Sequence, residues 1–189
     1  MSAGDYRFDV VTHYDRLPKI GWPAYDNLIR RGVPSSALAD DIPARAEVLF
    51  FPDRPLFDFA ADIGDEGAVA ALMFLALDQL GEPIDLVAWS PKPHRLAAWY
   101  GAALLGSEQI WGPRLANEGA LAVYEDPFDW LRADRRGVVI IDPTTAAPLL
   151  HEAGHLVAPS VDAGKRLLCL VTPPTPRISV LLAASLESA

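Results

Sequence analysis

Apolar positions fall in short runs separated by breakers, and the spacing of those runs changes along the chain. Before residue 45 the pattern is irregular. Residues 8–11 read as a strand and 23–31 as a short helix stopped by Gly32, followed by a stretch over 33–47 rich in polar and breaker residues. Residues 47–51 then read as a strand ended by Pro52. From residue 65 onward the pattern becomes regular. The spacing predicts a helix over 65–80, with acids in its first turn and Gly81 just past its end. Apolar side chains surround most of that segment, which places it between layers. Strands at 84–89, 120–124, 137–141 and 155–158 then alternate with helices at 94–106, 127–133, 144–153 and 162–171. A breaker run at 172–176 precedes a last strand or short helix at 178–182.

One local device recurs. Ser90-Pro91, Asp126-Pro127 and Asp142-Pro143 each follow an expected strand. A Ser or Asp oxygen caps the free N–H groups of a helix, and Pro at the next position lacks the N–H that would go unpaired. Short apolar strands alternating with capped helices predict a single three-layer α/β domain. Its sheet is expected to be mostly parallel, of about five strands. That domain takes residues 46–189, and residues 1–45 form an irregular N-terminal arm or edge segment.

Composition narrows the partners. The chain has 189 residues, 51% of them apolar and 22% charged, enough to bury a core. Lys and Arg number 16 against 25 Asp and Glu, a formal charge of -9. That balance argues against non-specific nucleic-acid binding, which draws its affinity from cations on phosphates. The single Cys169 lies in an apolar run and rules out an internal disulfide or a cysteine metal cluster. The N-terminus lacks a cationic-then-apolar pattern, and the longest apolar stretch, about ten residues from Ala68, is far short of the roughly 20 that span a bilayer. A cytoplasmic protein without a membrane contact is the expectation.

His151-Glu152-Ala153-Gly154-His155 spells H-E-x-x-H. On a helix, residues four apart share a face, so His151 and His155 could grip a zinc ion while Glu152 deprotonates a bound water. These residues resemble the metal-binding helix of the zincin metallopeptidases, flanked as there by apolar residues. The resemblance implies a zinc cofactor, His151 and His155 as ligands and Glu152 as general base. The local chemistry also supports a plainer reading. Pro148 and Pro159 bracket the motif, and Gly154 suits the left-handed cap where a helix turns into a strand. That puts the two histidines on different elements.

Ligands of open α/β sheets bind beyond the carboxyl ends of the strands. Ser90, Glu125, Asp126, Asp142 and Ser160 stand at the expected ends and are the ligand-site candidates. Residues 124–129 (Tyr-Glu-Asp-Pro-Phe-Asp), followed by Asp162-Ala163-Gly164, faintly resemble the Toprim catalytic pattern of primases and topoisomerases. The family's paired aspartates fall on Pro159 and Val161 here, and the Gly after its Glu is Asp126. The resemblance therefore implies a degenerate, non-catalytic relative in a DNA-processing system. Phosphate-cradling glycine loops and a serine nucleophile elbow are both missing from the sequence. The leading expectation is a non-catalytic binding or protein-interaction module with no cofactor and an unidentified protein or small-molecule partner. A zinc peptidase and a degenerate Toprim-like domain stand as alternatives. The five tryptophans, if exposed, mark a partner surface, because Trp and Arg are favoured there.

Overall fold

A computed structural model describes residues 3–39, 42–61, 65–111 and 119–172. Three helices come first: α1 (Ala3–Arg16), α2 (Trp22–Arg30) and α3 (Ser36–Ala39). The segment expected to be an irregular arm is therefore largely helical, and 8–11 lies inside α1 and is not a strand. Val10 and Tyr14 on α1 are buried and Leu17 packs beside them, an i, i+4, i+7 stripe that docks the helix on the first sheet.

That sheet has five strands, β1 (Ala44–Phe50), β2 (Phe57–Phe59), β3 (Val69–Leu77), β4 (Pro83–Pro91) and β5 (His94–Ala98), in the order β2-β1-β3-β4-β5. All its strand pairs are antiparallel. The sheet curls until the segment before β2 reaches β5, where the Ala98 N–H donates to the Pro55 carbonyl at 3.0 Å. The expectation of a mostly parallel three-layer sheet is thus wrong.

Two elements account for the error. The helix expected over 65–80 is β3. Its Ala71 and Met73 face α1, while Phe74 and Ala76 face the opposite core. A strand covered on both faces loses the alternation that distinguishes it from a buried helix. Gly81 belongs to the β3–β4 hairpin, in which Asp78 Oδ1 accepts the N–H groups of Leu80 (2.8 Å) and Glu82 (3.0 Å). The helix expected over 94–106 is β5 plus a connection to β6 (Leu104–Leu105). Ser90-Pro91 opens no helix. It ends β4, where Pro91 pairs with His94 across a tight turn and the Ser90 hydroxyl donates to the Lys92 carbonyl at 3.2 Å.

The second half follows the expected alternation closely: β7 (Leu121–Tyr124), α4 (Pro127–Arg132), β8 (Val138–Ile140), α5 (Pro143–Glu152), β9 (Leu156–Val157) and α6 (Val161–Val171). The strands form a small mixed sheet in the order β6-β8-β7-β9. β7 is parallel to both β8 and β9, and β6 is antiparallel to β8. Leu121, Val123 and Val138 face Ala146, Leu150 and Leu167 of α5 and α6. The other face, with Leu105, Val139 and Ile141, joins Trp130 and Leu131 of α4, Leu28 of α2 and Phe74, Val87 and Trp89 of the first sheet. That shared core holds the two sheets together. Burying one such large side chain contributes about 1.5–3 kcal/mol. The last expected element, 178–182, lies outside the described residues.

Candidate functional site

The crossover from β8 to β9 passes β7, so the chain leaves β7 toward one side and returns on the other. Ligands of open α/β sheets sit where the strand order reverses in this way, outside the carboxyl ends. Glu125 follows β7 directly. Its carboxylate accepts both the Nε and the Nη2 of Arg166 on α6, each at 2.7 Å. The hydrogen bond from Arg166 is the main cause holding the Glu125 carboxyl below its ordinary pKa. The same contact raises the Arg166 guanidinium, to which Asp162 adds a smaller electrostatic contribution.

The pair stands at the mouth of a groove of about 550 Å³. Val123, Ile140, Pro143, Ala158 and Leu167 form much of its lining. Beside Glu125 and Arg166, the Cys169 thiol is the other polar group there.

The remaining strand-end candidates serve the backbone. Asp126 caps α4, its Oδ1 accepting the Phe128 N–H at 2.8 Å. Asp142 caps α5 through the Thr144 N–H (3.0 Å), and its Oδ2 accepts the Thr145 hydroxyl at 2.8 Å. Ser160 caps α6 through the Ala163 N–H at 3.2 Å. Glu125, Asp126, Asp142 and Ser160 thus all follow carboxyl ends of strands in the small sheet, whereas Ser90 belongs to the first sheet.

The H-E-x-x-H residues do not share one helix. α5 ends at Glu152, Gly154 takes φ +74°, and the His155 carbonyl already accepts the Leu121 N–H at 2.9 Å to begin the β9 pairing. The Glu152 carboxylate accepts the Trp111 indole N–H at 3.0 Å. Among the described residues no three His, Cys, Asp or Glu side chains are grouped to hold a metal ion. None of the described helices is long and apolar enough to cross a membrane.

Two features escaped the sequence reading. Arg166 lies 41 residues from Glu125, and nothing local announces the pairing. Asp85, a lone acid inside the apolar strand β4, is buried and holds the connection to β6 through backbone N–H groups. Its position in an apolar run was the available signal. No protein-family model, curated protein or solved structure matches the chain.

Proposed function

We propose that the protein is a cytosolic, non-catalytic binding module whose ligand site is the groove at the carboxyl edge of β7, β8 and β9. The observation that carries this reading is the bidentate Glu125–Arg166 pair. A general base is weakened when a cation stabilises its charged form, and here both Glu125 oxygens accept from the Arg166 guanidinium, which holds the carboxyl below its ordinary pKa. What remains is apolar contact area with one ion pair at its rim, which suits recognition of a small molecule or a protein side chain.

The test is turnover by the purified full chain supplied with Zn²⁺, Mn²⁺ or Mg²⁺, on casein and on single-stranded and supercoiled DNA. The expected result is no product. Metal-dependent cleavage that disappears in Glu125→Gln or Glu152→Gln would overturn the proposal.

A second reading, a degenerate Toprim-like unit, draws on the placement of Glu125 and Asp162. Glu125 ends the central strand, and both acids act on the same Arg166 guanidinium. The positions at which the family pattern has aspartates, 159 and 161, are exposed Pro and Val. Placing Asp at both, together with Arg166→Ala, is expected to create Mn²⁺ binding that the parent chain lacks. If the triple variant folds and titrates no Mn²⁺, the Toprim-like reading fails and the plain binding module stands.

A further inference from the structure

Away from the groove, on the opposite face of the small sheet, Phe128 of α4 is bracketed by cations. The Arg31 guanidinium lies 4.0 Å from the Phe128 ring centroid and that of Arg132 5.9 Å from it. Behind the ring, the buried Trp89 stacks at 6.4 Å with an interplanar angle of 22°. The helices that carry the two arginines share one core, through Leu28 of α2 and Trp130 and Leu131 of α4. The Ser36 hydroxyl bonds Asp134 at 2.6 Å, linking α3 to the turn after α4. Gly32 approaches Arg132 so closely that a Cβ there would lie 3.5 Å from Nε. The Phe128 ring gives both guanidiniums a common apolar surface to lie on.

The charges are not balanced internally. Among the described residues, the carboxylate partner of Arg132 is Asp129 alone, at a long 3.9 Å between exposed groups. Among the described residues no carboxylate lies within ion-pair distance of Arg31, whose contact is the ring. In a chain of net charge -9, this is an exposed cationic point.

We propose that Arg31, Phe128 and Arg132 form a docking site for a short acidic peptide segment of a partner protein. Planar guanidiniums backed by an aromatic ring match carboxylates in fork geometry, and Arg is enriched among the residues that dominate protein interfaces. The surrounding charges select a short segment over a polynucleotide. Asp26 sits on Arg30 at 2.9 Å, Asp129 beside Arg132 and Asp134 near Arg136 at 3.9 Å. A phosphate chain crossing this face would meet those carboxylates in turn, whereas one or two glutamates can reach Arg31 and Arg132 alone.

The experiment is fluorescence anisotropy of a fluorescein-labelled hexapeptide with two adjacent glutamates in a Gly/Ser background, titrated with the full chain at low salt. Parent protein is expected to bind, and Arg31→Gln/Arg132→Gln to bind about tenfold or more weakly with an unchanged circular dichroism spectrum. Lys165→Gln, a charge loss elsewhere on the surface, is expected to change binding less than about twofold. Arg31→Lys keeps the charge and loses the planar stack, so it gives intermediate weakening if the double variant fails to fold. Four results would overturn the proposal: no binding by the parent, equal weakening in Lys165→Gln, equal or tighter binding of a twelve-residue oligo-dT, or a low-salt dimer of the parent that the arginine variants dissolve. The last would reassign the face to self-association.

Discussion

Removing the Asp85 carboxylate tests the joint between the two sheets. The chain passes from β5 to β6 through residues 99–103, and Asp85 on β4 gathers that segment. Its Oδ1 accepts the N–H groups of Leu86 (2.7 Å) and Tyr100 (2.9 Å), and its Oδ2 those of Tyr100 (3.1 Å) and Ala102 (2.8 Å). Gly101 between the two donors takes φ +101°, which lets both N–H groups turn inward. In Asp85→Ala the Tyr100 and Ala102 donors lose their acceptor. A fully buried stranded N–H costs about 1–3 kcal/mol; these two are part-buried, so the variant is expected to lose about 1–4 kcal/mol. That is a large share of the 5–15 kcal/mol typical of a folded protein.

Urea unfolding followed by tryptophan fluorescence and circular dichroism gives the difference. A loss below about 1 kcal/mol would refute the reasoning, because the N–H groups would then have found water or another acceptor at little cost. The pH dependence supplies an independent check. Burial raises the Asp85 pKa above 3.8 and outweighs the backbone hydrogen bonds that lower it. The native state therefore holds this proton more tightly than the unfolded chain. Its contribution to stability is complete below 3.8 and fades as pH rises through the native value. Stability of the parent relative to Asp85→Asn is expected to fall on raising the pH through that window and then level off. A rise would sink the argument.

Other perturbations have distinct signatures. Gly137→Ala places a Cβ on the Ala122 carbonyl at φ +99°, so left-handed strain and overpacking together are expected to cost about 2–5 kcal/mol, measured as a lowered Tm. Asp142→Ala removes the α5 cap and is expected to cost about 0.5–2 kcal/mol in urea unfolding, with Asp142→Asn nearer the parent. Glu125 titrates with the opposite sign to Asp85. Its lowered pKa stabilises the fold above 4.5, and this is lost as pH falls through the native value. The midpoint of the Glu125 carboxyl titration, followed by NMR, is expected to move up toward the ordinary glutamate value in Arg166→Gln.

What could be read along the chain depended on how each element is covered. The run from β7 to α6 was legible because each helix there opens at a side-chain cap that follows a short strand. Asp126, Asp142 and Ser160 make those caps. β3 was not, because Ala71 and Met73 face one core and Phe74 and Ala76 another, which erases the alternation. β5 was missed for a different reason. Its Ala-rich sequence suits a helix, yet Pro91 and Pro93 precede it and it pairs back onto β4. α1 was hidden among polar residues, although Val10, Tyr14 and Leu17 already had helical spacing. At the site, the chain position of Glu125 was readable, but its guanidinium partner depended on packing 41 residues away.

The groove joins these observations to chemistry. A parallel strand flanked on both sides opens a crevice at its carboxyl end, and the peptide dipoles and helix starts there are available to any ligand. In this chain Asp126, Asp142 and Ser160 each take one backbone N–H at the starts of α4, α5 and α6, and Glu125 is paired with Arg166. The Cys169 thiol is the groove's remaining polar side chain. Catalysis by charge stabilisation requires donors or acceptors that are more fully used in the transition state than in the resting protein. At this site an incoming anion would compete with Glu125 for Arg166, which favours the proposed binding role. A ligand that spans Val123, Ile140 and Leu167 and exchanges one ion pair at the rim asks nothing more of the site than its resting geometry already provides.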